Sequence, residues 1–333
     1  MISDYLRGLY ILKPISHLVS LISSPWKGKG AILMYHRVLP DEDIKEDHEI
    51  GLAVTKSNFE KQIKTLSSNY NIVSMDEFVN NLDKKDSEFM VSITFDDGYK
   101  DNLLHALPVL EKYKIPATIY ITTRFLENHV TMWWYELKII IEEKSTLEFI
   151  YQNKKFFYNL NNYKQKKSAF EKIRKFFLYL TSEQQLELLN IISGNSNRKN
   201  FSNICLDEEE LKVLDKNPLI TIGSHTHNHV NLKMLSEEEI LKEIKTSIKI
   251  LKNLLGHNIM HFSYPYGDKN QASVREYEIV EKLNFYSALT TRVYPIRKKN
   301  LFSLPRLYVG NKTCDKTLKN HLSGFYNLAS KFI

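Results

Sequence analysis

Two stretches of this chain bring together residue types that could do chemistry. Thr94-Phe95-Asp96-Asp97-Gly98-Tyr99 holds two adjacent carboxylates followed by a glycine. Ser224-His225-Thr226-His227-Asn228-His229 holds three histidines in five positions. Neutral imidazoles joined by a carboxylate suit a divalent metal, Zn²⁺ above all and Co²⁺ or Ni²⁺ as well, with a coordination position left for water. His225 and His229, at i and i+4, share one face of a helix and can also converge from a loop. His227 should diverge from them. With Asp97 as the third ligand, a metal would acidify water and polarise an acyl carbonyl. Asp96, beside the ligand set but outside it, suits the base that removes the water's proton. The other reading of the bare Asp-Asp-Gly stretch is a strand followed by a turn.

Acyl hydrolysis needs further groups. A backbone N–H at the Pro265-Tyr266-Gly267 turn could stabilise an oxyanion. Arg306 could hold Asp96 ionised and oriented, a plain surface salt bridge being the other reading of that arginine. His36 closes an apolar run, where a histidine is rarely needed and a hydrogen-bonded structural role is one reading of it.

These residues must be positioned by strands. Phe89-Met90-Val91-Ser92-Ile93 is apolar and β-branched, so it predicts a buried strand that ends at the aspartates. Neighbouring side chains on a strand face opposite ways, so both carboxylates can reach one pocket only where the strand is ending. Gly30 to Val38 predicts the first core strand. A helix capped by Ser57, with Glu60 as its capping-box partner, should follow, then a short strand over 70–74 and a helix over 75–82. Helix 103–113, strand 117–122, helix 207–216, strand 219–223, helix 236–255 (Ser236 and Glu239 as a second capping box), strand 261–264, helix 272–283 and strands 286–290 and 304–309 complete the alternation. Strand–helix–strand order implies parallel strands joined by crossover helices. Every chemical cluster falls at the C-terminal end of a strand, where α/β barrels and open parallel sheets build active sites.

Residues from about 127 to 205 break this rhythm and read as a helical insertion. Helix-like stretches run to Glu143 and over 164–180. Its Trp133-Trp134 pair and many tyrosines read as core, or as a surface for sugar rings or a membrane.

At 333 residues the chain can bury a large core. Its net charge of +7 comes largely from dispersed lysines and favours anionic surroundings, such as a phospholipid headgroup layer. No basic arm or nucleic-acid motif is present, so no nucleic-acid partner is expected. Cys205 and Cys314, the two cysteines, imply neither a disulfide framework nor a cysteine zinc site. Residues 1–28 could form an amphipathic segment at a membrane surface or pack on the body. No clear signal peptide is seen there. The expected location is cytoplasmic, resting against the inner membrane face. The body should span 29–315, with a helical tail over 316–333.

Taken together, TFDDGY, SHTHNH, FSYPYG and LPRLYV resemble the NodB-homology polysaccharide deacetylases, a carbohydrate esterase family. The resemblance covers about 30–125 and 205–310. It implies a distorted (β/α) barrel and metal-dependent removal of N-acetyl or O-acetyl groups from glycans, here an N-acetylated glycan or a lipid-linked sugar. It makes Asp96 the base, Asp97, His225 and His229 the metal ligands, and the Tyr266 amide the oxyanion donor, with His227 at a variable position. Many members carry arginine where this chain has Ser263, and many take their acid from a C-terminal Leu-x-His that is missing here. Met34-Tyr35-His36-Arg37-Val38 is similar to the poly-N-acetylglucosamine deacetylase subgroup, which implies His36 as the acid and Arg306 as the partner of Asp96. A deacylase or deformylase of a lipid-linked sugar is the competing activity, and a metal- or glycan-binding pseudoenzyme the competing class.

Overall fold

A computed structural model describes residues 29–44, 51–84, 88–194, 198–296 and 298–323. The segment 1–28 and the last residues of the tail lie outside them. Twelve strands occur among the described residues: β1 Gly30–Tyr35, β2 Arg37–Leu39, β3 Ala53–Thr55, β4 Asn71–Ile72, β5 Met90–Phe95, β6 Ala117–Ile121, β7 Thr146–Tyr151, β8 Lys154–Asn159, β9 Ile220–Ser224, β10 His261–Ser263, β11 Ser287–Leu289 and β12 Leu307–Tyr308. The helices are α1 Lys56–Asn69, α2 Met75–Asn81, α3 Leu107–Tyr113, α4 Trp133–Glu143, α5 Tyr163–Phe177, α6 Ser182–Ser193, α7 Glu208–Asp215, α8 Glu237–Leu255, α9 Val274–Glu281 and α10 Asp315–Leu322.

The main sheet has eight strands in the order β11-β10-β9-β6-β5-β1-β12, with β4 paired to the start of β5. All these pairings are parallel. One extended segment links its two edges. Leu304 bridges to Leu289 of β11, and Leu307 and Tyr308, three and four residues on, pair with Leu33 and Met34 of β1. The sheet therefore curls into a distorted (β/α) barrel, as the alternation predicts.

Side-chain alternation separates the two faces. Leu33, Val91, Ile93, Phe95, Ile119 and Ile222 pack under the helices in the largest apolar cluster. The opposite row carries Ile32, Met90, Ser92, Thr94, Thr118 and Tyr120, all buried. Gly223 belongs to this close-packed side, because a Cβ there would lie 2.4 Å from the Tyr120 ring.

Two local expectations need correction. The run Gly30–Val38 is not one strand: β1 stops at Tyr35, and β2 leaves the sheet to pair with β3. The Asp101 carboxylate draws the chain aside, accepting from Arg37 Nε and from the Val38 amide, each at 2.8 Å. His36 sits at the break. Helix α1 begins two residues earlier than expected, because the Thr55 hydroxyl caps it by accepting from the Asn58 amide at 3.1 Å. Glu60 instead pairs with Lys112.

The insertion over residues 127–205 contains α4, the β7–β8 hairpin, α5 and α6 around a second apolar cluster that also takes in Tyr99 and Phe125. The sequence reading has no place for the hairpin or α6. Of its two tryptophans, Trp133 is 5% exposed and Trp134 6%, so both are core. Trp133 stacks on Phe177 at 4.6 Å with the rings nearly parallel. No described helix is long and apolar enough to cross a membrane.

Candidate active site

The aspartates emerge from β5. Asp96 continues the row of Met90, Ser92 and Thr94, so it enters the barrel mouth in phase with the strand. Asp97 would by alternation turn away under the helices. It instead adopts φ +78°, followed by Gly98 at φ +87°. This left-handed step brings both carboxylates to one place. Asp97, Thr226, His229 and Tyr266 make up half of the described non-glycine residues with positive φ. Such conformations cost on the order of 1–3 kcal/mol each, and their concentration marks a functional site.

Arg306 is 1% exposed and fills the barrel beneath Asp96. Its guanidinium grips the carboxylate in a two-pronged fork, Nη1 to Oδ1 at 2.7 Å and Nη2 to Oδ2 at 2.6 Å. The other donors are used as well: Nη2 to Ser263 Oγ at 2.8 Å, Nε to the Thr290 carbonyl at 3.1 Å and Nη1 to Thr94 Oγ1 at 3.3 Å. This is a buried ion pair, not the surface salt bridge that the sequence left open. Ser263 is small and accepts from a guanidinium supplied by the segment before β12. Burial alone would raise the Asp96 carboxyl, but Arg306 and His225 outweigh it and hold it below the ordinary range.

His225 follows β9 directly, and His229 lies four residues on in a loop, not a helix. The His225 Nδ1–H donates to the Ser263 carbonyl at 2.7 Å, which leaves the Nε2 lone pair facing Asp97. His225 Nε2 lies 3.5 Å and His229 Nε2 3.2 Å from Asp97 Oδ1. One ligand atom from each of the three residues falls within 4.8 Å of the others. Asp97 Oδ1 is buried and takes no well-directed hydrogen bond among the described residues. Two imidazole nitrogens and one such oxygen, converging and otherwise unused, fit a divalent cation. His227 turns elsewhere, its Nδ1 at 2.9 Å from Thr123 Oγ1.

The protonation states suit ligands. Burial would raise Asp97, yet His229, His36 and His225 together hold it well below the carboxylate range. Burial pushes His225 down to about 4, only partly opposed by the nearby aspartates. At neutral pH the site therefore offers a carboxylate and a neutral imidazole. A histidine whose folded value lies below its unfolded value of about 6.5 takes up protons more readily when unfolded. The metal-free protein should thus lose on the order of 2–3 kcal/mol of folding stability as the pH falls from about 6.5 to 4, through this one group. Urea denaturation at pH 7 and pH 4.5, for the wild type and His225→Asn, checks this. The variant should show the smaller pH difference.

His36 lies close enough to Asp97, Asp96 and His229 for their charges to act on its ring, and burial holds it below the ordinary imidazole range. Its Nδ1 has no hydrogen-bond partner among the described residues. The Pro265-Tyr266-Gly267 turn sits across the site, with the Tyr266 ring 4.8 Å from that of His229. Tyr266 has φ +62°, and its carbonyl accepts from Thr291 Oγ1 at 2.7 Å. A Cβ on Gly267 would meet the Thr291 amide at 2.7 Å, so the turn closes only with glycine.

Several contributors have no signal of their own in the sequence. Glu243 of α8 accepts from the amides of His227 and Asn228 at 3.2 and 2.9 Å, fixing the loop between the two histidines. The Thr226 hydroxyl accepts from the His229 amide at 3.1 Å. Thr94 and Thr290 hold Arg306. A polar residue inside an apolar strand is the only hint available for Thr94.

Comparison with known proteins bears on the fold and the family. The family model described as polysaccharide deacetylase matches residues 83–285. YxkH of Bacillus subtilis (strain 168), itself named for the polysaccharide deacetylases, is 24% identical over 309 residues, covering 91% of this chain and 79% of its own. Among solved structures, the Streptococcus pyogenes deacetylase PplD, in complex with acetate, superposes with a TM-score of 0.59 at 20% identity, covering 88% of this chain and 98% of its own. IcaB from Ammonifex degensii gives 0.57 at 18% identity, covering 89% and 97%. These two likenesses establish the fold, and the family match reaches further. The chain belongs to the polysaccharide deacetylase family and is a hydrolase of the deacetylase class.

Proposed function

We propose that the chain is a divalent-metal-dependent N-deacetylase acting on an amino sugar of a bacterial surface polysaccharide or its precursor, with Zn²⁺ as the ion. The observation that carries this reading is the convergence of Asp97, His225 and His229 beside a separate, arginine-clamped Asp96. A divalent ion held by those three residues supplies an acidified water and a polarised acyl carbonyl. Asp96, kept ionised by Arg306, takes the proton of the attacking water. The Tyr266 amide donates to the developing oxyanion. His36 delivers a proton to the sugar nitrogen as the C–N bond breaks, so the products are acetate and a free amine.

Acetate release from N-acetylglucosamine oligomers by the purified, Zn²⁺-loaded protein tests the reading. Release is expected, with His36→Ala slowed by about 10²–10⁴-fold, the usual share of a general acid. No release from oligomers, with release from a lipid-linked N-acetyl sugar, would move the substrate to the precursor. No release from either would refute the proposal.

A further inference from the structure

The first turn of α4 carries three consecutive aromatic residues, and each touches a different part of the site. Trp133 Nε1 donates to the Tyr266 hydroxyl at 3.1 Å. The Trp134 ring lies 5.2 Å from that of His229. The Tyr135 hydroxyl accepts from Arg37 Nη1 at 3.1 Å, beside His36. On a helix successive side chains diverge by about 100°, so three neighbours can reach three partners only when the turn is wedged among them. The turn belongs to the insertion, far from these partners in sequence.

Tyr266 is the partner with most to gain from support. It holds a left-handed conformation that a non-glycine residue adopts only when its surroundings impose it. Thr291 fixes its carbonyl from the barrel side. On the opposite side the insertion holds its hydroxyl through the Trp133 indole. Trp133 is in turn locked by its stack on Phe177 of α5. A chain of buried contacts thus runs from the helices of the insertion to the Tyr266 turn.

We propose that the Trp133-Trp134-Tyr135 turn is a positioning element of the active site, with Trp133 setting the Tyr266 turn through its indole N–H. This rests on the oxyanion role given to that turn above. It assigns the insertion a part in the reaction: these aromatic residues align catalytic groups from inside the core.

Trp133→Phe keeps an aromatic ring against Phe177 but loses the N–H together with one ring of the indole, while Tyr266→Phe removes the acceptor alone and keeps the backbone amide. Loss of one such hydrogen bond should lower kcat by about three- to tenfold, with KM within about twofold. Because both changes break one link, the double variant should be no slower than Tyr266→Phe alone. Trp133→Phe at wild-type kcat would overturn the proposal, as would losses that multiply in the double variant. The ¹H–¹⁵N resonance of the Trp133 indole judges the contact without any turnover. It should shift upfield in Tyr266→Phe, and an unmoved resonance would also overturn the proposal. A wild type that releases no acetate would count against the catalytic reading, leaving the resonance to decide this one.

Discussion

Asp96→Asn should slow acetate release by about 10²–10⁴-fold while the protein still takes up one Zn²⁺ per chain. The amide is nearly isosteric with the carboxylate but cannot accept the water's proton. The three residues placed to bind metal are untouched by the change, so binding and turnover should separate. Steady-state kinetics beside a Zn²⁺ titration would show this. A variant that keeps its turnover would remove Asp96 from the role of base. One that loses Zn²⁺ together with turnover would place Asp96 among the ligands instead.

Arg306→Met should have the largest effect on stability, a loss of about 3–5 kcal/mol, because it strands the Asp96 carboxylate in the barrel without its counter-charge. Burial already pulls that carboxyl upward, and the guanidinium is the main force against it. Without Arg306 the acid limb of the rate profile should therefore move to higher pH. Pairing Arg306→Met with Asp96→Asn should recover part of the stability, since a neutral amide in the same place costs less than an unpaired charge. Urea denaturation of the two single variants and the double measures this directly. Equal stability of Arg306→Met and wild type would mean that Asp96 is relieved by protonation or by water, and the clamp would lose its importance.

The sequence made the site's cast legible because strand ends are punctuated. A β-branched run stopping at Asp-Asp-Gly, and another stopping at His-Thr-His, place chemistry at the mouth of a parallel barrel before any coordinate is known. What stayed hidden depends on distance in the chain. Arg306 can be named as a partner for Asp96, 210 residues away, but nothing near it separates a buried clamp from a surface salt bridge. The break at His36 was invisible because an apolar run from Gly30 to Val38 has no local reason to divide. That reason lies in Asp101, on another element. Likewise Trp133 and Trp134 carry the composition of a sugar-binding surface and the environment of a core. Composition cannot separate these fates, because the deciding contacts come from helices α5 and α6 and from the Tyr266 turn.

The most direct test of the central claim is acetate release by wild-type protein stripped of metal with a chelator and then titrated with Zn²⁺. Turnover should vanish in the stripped protein and return in proportion to added Zn²⁺, saturating at one ion per chain. Asp97→Ala should neither bind the ion tightly nor regain turnover. Full activity in protein verified to be free of metal would contradict the account at its root, by separating deacetylation from the Asp97, His225 and His229 site.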